Sequence, residues 1–267
     1  MPRRIGVVVL GLLVVLGSSP LEATELNCSG SSNIEEFRYS WQLRGGLSWI
    51  AGLIFPTSGV GNLKTVFPKN GQHSINSELL ITAPNGRSGG YFAYESEMES
   101  SGRRTLSSYS GYAWGSKRRS ERTRFDYANR QALVHRETSS KSSDKVRPLD
   151  DDEMRDVLTA IYYLRRNAAS IKGPMITSVY EGKEYAVVFR PLNGRKQSFT
   201  LEGNRVGSIG FEILDAPGGK KWPGNVKVWL SEDNRRIPFR IEIRQSMAAL
   251  QLDLQSIESC AFMQAAK

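Results

Sequence analysis

Asp150-Asp151-Asp152-Glu153-Met154-Arg155-Asp156-Val157-Leu158-Thr159-Ala160-Ile161-Tyr162-Tyr163-Leu164-Arg165-Arg166-Asn167 carries the clearest helical signal in the chain. Met154, Val157, Leu158, Ile161, Leu164 and Ala168 recur at the i, i+3, i+4, i+7 spacing and fill about a third of the helical wheel. The spacing predicts a helix over about 151–167. Asp150 to Asp152 offer capping oxygens and negative charge to its first turn. Arg165 and Arg166 suit its last turn, and Gly173-Pro174 stop the chain soon after. The sequence on either side alternates in short runs. One amphipathic helix among many strands must lay its apolar stripe on a sheet. The expected class is therefore mainly β: an open antiparallel β-barrel or half-barrel meander with one inserted helix.

Phe37, Tyr39, Trp41 and Leu43 alternate with polar neighbours, a half-buried period of two, and Gly45-Gly46 break the run. Leu47 to Phe55 is apolar, and Pro56, Gly59 and Gly61 read as a loop. Further strands are expected at Leu63–Phe67, Glu78–Ala83, Tyr91–Glu95, Thr105–Tyr109 and Ala132–His135. Glu137 to Arg147, rich in Ser and Lys, reads as a mobile loop leading into the helix. Beyond the helix, Thr177–Tyr180 and Lys183–Phe189 flank Glu181-Gly182, a two-residue hairpin. Val226, Val228 and Leu230 face one way, and Ile237, Phe239, Ile241 and Ile243 return on that face. Neither an internal repeat nor a domain linker shows, so residues 24–267 are expected to form a single domain.

The N-terminus is basic at Arg3-Arg4, then apolar from Ile5 to Leu16, the proportions of a signal peptide and too short to span a membrane comfortably. Cleavage is expected near Ala23, giving a periplasmic protein; Cys28 lacks the small preceding residue of a lipid-attachment box. An uncleaved anchor is the other reading. In an oxidising compartment Cys28 and Cys260 most simply form a disulfide, closing a loop worth up to ~4–5 kcal/mol in the chain-entropy model; two separate thiols are the alternative. The formal charge is +9, and loss of Arg3, Arg4 and Glu22 with the leader leaves +8. In an exported protein that balance suits an anionic membrane or another acidic envelope surface, or simply keeps the chain soluble. Nucleic acid is the wrong partner for that compartment, and no nucleic-acid motif is present.

Catalytic chemistry has little footing. His73 and His135 lack metal-ligand spacing, no Gly-x-Ser-x-Gly occurs, and the Asp150–Glu153 cluster reads as a cap before it reads as a Ca²⁺ site. No metal, no cofactor and no catalytic residue is expected. A sheet curled incompletely around a helix leaves an apolar hollow able to hold an acyl chain. Its candidate lining is Trp41, Trp49, Leu158, Ile161, Arg165 and Trp229. Arg165 either meets a ligand carboxylate or phosphate or complements the helix dipole, and the tryptophans, Trp114 among them, either line the hollow or fill the core. Lys117, Arg118, Arg119, Arg122 and Arg124 form a basic segment suited to a head group.

Asp156–Arg165, Tyr185-Ala186-Val187 after Gly182-Lys183, and Val228-Trp229-Leu230-Ser231-Glu232-Asp233-Asn234-Arg235-Arg236-Ile237-Pro238 together resemble a family of exported bacterial domains of unknown function. Phe125-Asp126-Tyr127 looks like its mid-chain element. The resemblance spans nearly all of the mature chain, and departs in the Gly/Pro-rich Ile54–Gly61 segment and the cysteine pair. Its fold is similar to the half-barrel with helical plug of the lipoprotein and lipid carriers LolA and LolB. The resemblance implies a non-enzymatic envelope protein and carries over no catalytic residue; the apolar hollow adds the expectation that it binds or carries a lipid, an acyl chain or a lipid-modified partner. Two rivals stay open: a scaffold whose barrel is filled by its own side chains and binds protein or glycan, and an envelope hydrolase, which would need a paired acid and base in a cleft.

Overall fold

The computed structural model describes residues 33–45, 56–69, 73–192, 197–201, 203–222, 225–244 and 249–259. The expected signal peptide and its cleavage at Ala23, the pairing of Cys28 with Cys260, Trp49 and the apolar Leu47–Phe55 run lie outside those residues.

Eight strands precede the helix: β1 (Ile34–Arg44), β2 (Ser58–Val66), β3 (Ser74–Ala83), β4 (Gly86–Glu99), β5 (Thr105–Trp114), β6 (Lys117–Asp126), β7 (Gln131–Thr138) and β8 (Ser142–Pro148). The helix α1 (Val157–Asn167) follows. Then come β9 (Met175–Tyr180), β10 (Glu184–Pro191), β11 (Gln197–Leu201), β12 (Asn204–Asp215), β13 (Asn225–Ser231), β14 (Pro238–Arg244) and β15 (Ala249–Ser259). They form one antiparallel sheet in the order β8-β7-β6-β5-β4-β3-β2-β1-β15-β14-β13-β12-β10-β9, with β11 beside β10 on the same edge of β12. The first and last strands pair along nine positions, Glu36 to Arg44, joining the two halves. The sheet does not close; β8 and β9 are its edges, and the chain crosses from one to the other through α1. This is the expected mainly β half-barrel with one helix.

Four local expectations are corrected. The helix begins at Val157, not near 151, and its N-cap is Asp156, whose carboxylate accepts the Thr159 amide at 2.7 Å. Residues before it run extended because their backbone is committed to strands: Thr105 N donates to Met154 O, Tyr180 N donates to Arg155 O, and Arg155 bridges Val179. Asp150 to Asp152 therefore do not cap the helix; Asp151 instead accepts the Glu153 amide at 2.8 Å. Gly59 and Gly61 lie inside β2 rather than in a loop. A Cβ on Gly59 would meet Thr82 O at 2.0 Å and the Trp41 Nε1 at 2.6 Å, so the missing side chain makes room for the indole, which crosses β2 to donate to Thr82 O. Ser142–Pro148 is strand rather than loop; every residue of β8 is exposed, so it carries no apolar period to read. The β9–β10 turn has three residues, Glu181 to Lys183, with Gly182 at φ +67°.

Leu158, Ala160, Ile161, Leu164 and Ala168 project from α1 into one contiguous core with Phe37, Tyr39, Leu79, Val228, Phe239 and Leu252. The helix start is polar instead: Thr159 Oγ1 lies 2.8 Å from both Ser96 Oγ and Thr105 Oγ1, and Thr105 Oγ1 accepts the Asp156 amide. Burial pushes the Asp156 carboxyl up to about 6, outweighing the hydrogen bonds that favour its charge. A folded-state pKa above the ordinary value contributes stability that is full below about 4 and is lost as pH rises through about 6. Urea denaturation of the wild type should accordingly show a gain of about 1–1.5 kcal/mol between pH 7.5 and pH 5 that D156N, still able to cap, lacks. Equal pH dependence in the two proteins would remove Asp156 as the source.

Candidate functional site

The side chains expected to line a hollow are distributed differently. Trp41, Leu158 and Ile161 belong to the contiguous core. Trp229 is on the opposite face of β13 from Val226, Val228 and Leu230, because strand side chains alternate; there it packs over Gly210 and beneath the Arg240 guanidinium, 5.9 Å from its ring centre. Arg165 is 2% exposed and joined in bidentate fashion to Glu35, 1% exposed, at 2.7 and 2.8 Å. It also donates to the carbonyls of Arg236 (2.9 Å) and Arg235 (3.2 Å) in the β13–β14 turn and lies over the Phe37 ring, 5.5 Å from its centre. That turn is held by Ser231, which donates to Asp233 and accepts the Ile237 amide, and by the Asp233–Arg235 ion pair. Arg236 sits at φ +49°, with its guanidinium on the carbonyls of Ser231 and Glu232. The helix and the Trp-to-Pro hairpin thus meet through Arg165, which serves the fold.

The basic segment is strand β6, and alternation divides it. Thr123 and Phe125 are buried on the helix side, which places Lys117 and Arg119 on that face and Arg118, Arg122 and Arg124 on the outer one. It is not one surface.

The outer face of β2–β6 holds a groove of about 520 Å³ that the sequence did not reveal. The register lays one row straight across it: Lys64 opposite Glu78, Glu78 opposite Glu95, Glu95 opposite Tyr109, Tyr109 opposite Arg122. A second row runs Val66, Asn76, Glu97, Ser107. Ser107 donates to Glu97 at 3.1 Å, and the Arg122 guanidinium lies 5.4 Å from the Tyr109 ring centre. Glu78 and Glu95 form no hydrogen bond or ion pair with another described residue, although like charges directly across a ladder are unfavourable. Two free carboxylates, a serine, an asparagine and an aromatic ring in a hollow of this size offer acceptors to hydroxyl or ammonium groups and a flat face to an apolar ring edge. Among the described residues no group of three His, Cys, Asp or Glu side chains is placed to hold a metal ion, and no helix is long and apolar enough to cross a membrane.

An antiparallel half-barrel, plugged by one helix and grooved on its outer face, is the class of protein that these features define. The chain belongs to the family described as protein of unknown function DUF3108, whose model matches residues 72–255. It is similar in fold to a solved structure described as a β-barrel-like protein of domain of unknown function DUF1849 from Brucella abortus. The TM-score is 0.54 at 8% identity, over 87% of this chain and 100% of that one. No curated protein matches.

Proposed function

We propose that the protein is an exported, non-enzymatic binding protein of the cell envelope that takes a saccharide in the outer groove. The observation that carries this reading is the unpaired Glu78–Glu95 couple beside Tyr109 in a hollow of about 520 Å³. Carboxylates that give up pairing within their own chain are acceptors for sugar hydroxyls, and a tyrosine ring suits the apolar edge of a pyranose. Binding is favoured over hydrolysis because Glu78 and Glu95 stand side by side on neighbouring strands of one wall, not facing each other across a cleft with room for a scissile bond between them. It is favoured over carriage of an acyl chain or a lipidated partner because the expected lining residues Trp41, Leu158 and Ile161 are packed into the core. Export rests on the basic and apolar leader, Met1 to Leu16.

Titration calorimetry with chitotetraose and maltotetraose tests the reading. Saturable heat is expected from at least one sugar, with affinity falling at least tenfold in the E78Q/E95Q variant. That variant should fold at least as well as the wild type, since it relieves a like-charge pair. Silence from both sugars would set the saccharide reading aside.

A further inference from the structure

The outer groove carries a charge imbalance that hydroxyl groups cannot settle. Its lining holds three carboxylates, Glu78, Glu95 and Glu97, against two cations, Lys64 and Arg122. Glu78 and Glu95 stand opposite one another across the β3–β4 ladder, and Glu97 follows Glu95 on the same face, ~7 Å along the strand. Ser107 donates to Glu97 but brings no charge. Arg122 closes one end of the row, over the Tyr109 ring, and Lys64 closes the other, opposite Glu78. Even with Lys64 swung onto Glu78, Glu95 is left without a cation, with one carboxylate across the ladder and another along its strand. On the far half of the outer face carboxylates have cations: Glu212 has Arg190 and Lys227, Glu242 has Arg244, and Asp253 has Arg240. Like charges across a ladder cost stability, so the fold alone does not explain the arrangement at Glu78 and Glu95.

Tyr109 supplies a second observation, independent of charge. It sits opposite Glu95, and Gly111 is two residues further along β5 on the same face. A Cβ on Gly111 would come within 2.8 Å of Tyr109 Cζ, so the missing side chain lets the phenol fold down along its own strand instead of standing out from the sheet. A ring laid along the sheet suits the apolar face of a pyranose. Directly opposed residues have Cβ atoms ~5 Å apart, so a substituent on that pyranose is within reach of Glu95 and, one strand further, of Glu78. A hydroxyl there adds hydrogen bonds and leaves the repulsion in place. An ammonium adds hydrogen bonds and the missing charge together.

We infer, on the footing of the saccharide reading, that the groove selects an amino sugar whose amines are free rather than acetylated. A pyranose rests on Tyr109, and its ammonium enters between Glu95 and Glu78 as the cation that the lining lacks. Titration calorimetry on the whole protein at low ionic strength and about pH 6, below the usual range of amines, compares the glucosamine tetramer with its acetylated counterpart, chitotetraose. The free amine should bind at least about tenfold tighter, the difference between a hydrogen bond to a charged group and one to a neutral group. E78Q/E95Q should bring the two tetramers to within about twofold of one another, since it removes the charge that tells them apart. G111A, which obliges Tyr109 to lift, should instead weaken both by a common factor of about two to ten and leave their ratio alone.

Equal affinities for the two tetramers in the wild type overturn the inference and leave the saccharide reading standing. A preference for the amine that survives in E78Q/E95Q also overturns it, because the charge is then met elsewhere on the surface. Spermidine, a cation without a pyranose, is the third probe. Binding of spermidine as tight as that of the glucosamine tetramer overturns the inference and the saccharide reading together, since any cation would then serve. Silence from both tetramers removes the reading on which the inference stands.

Discussion

Arg165→Met is expected to lose about 3–5 kcal/mol of folding stability, the usual cost of leaving one member of a buried ion pair alone. The loss comes from what remains behind. Glu35 is 1% exposed and both its oxygens are taken by this guanidinium, so the variant must bury a bare carboxylate or protonate it. The carbonyls of Arg235 and Arg236 lose their donors as well. Arg165→Lys should rescue little, because an ammonium cannot make two parallel bonds to Glu35 and still reach the turn. The double variant E35Q/R165M removes both charges and should be more stable than R165M by at least about 1 kcal/mol. Denaturant unfolding of the wild type, E35Q, R165M and E35Q/R165M gives the coupling directly; additive losses would mean that the pair does not act as a unit.

That pair also marks where the sequence could and could not be read. The apolar stripe of α1 was legible because helical periodicity is local. So was the charge of Arg165 near the end of that stripe. Its partner was only half legible: alternation with Phe37, Tyr39 and Trp41 puts Glu35, not Glu36, on the inner face of β1, but Glu35 is 130 residues away and nothing local ties it to Arg165. The same limit hid the outer groove, since Glu78, Glu95 and Tyr109 are ordinary polar positions on three strands until the register sets them opposite one another. Other misreadings had a local cause. β8 is polar on both faces and offers no period. An early helix start follows from the likeness of Asp150 to Asp152 to a cap, while the backbone at Met154 and Arg155 just beyond them is tied to β5 and β9, remote in sequence. Trp229 is different: once Val226, Val228 and Leu230 are assigned inward, alternation alone sends it outward, so that signal was present in the sequence.

Leu164→Ala is expected to cost about 2–5 kcal/mol, and the size of the loss bears on what the half-barrel is for. Leu164 is 0% exposed, one helical turn from Ala160 and beside Arg165, and it sits in the same contiguous core as Phe37, Tyr39 and Phe239. In a packed interior its removal forfeits both the transfer free energy of the side chain and the contacts of the walls around the void. In an interior kept vacant for a guest the walls already lack those contacts, and truncation forfeits little beyond transfer, about 0.8 kcal/mol per methylene and so roughly 2.4 kcal/mol for the three carbons removed, the bottom of the packed range. Leu164→Met, close in volume, should cost less than about 1.5 kcal/mol and so controls for shape. Fatty acid added to the wild type should leave the melting temperature unchanged, because an occupant would have to displace α1. A small loss in Leu164→Ala, together with a fatty-acid-induced rise in the wild type, would instead return the interior to the role of carrier.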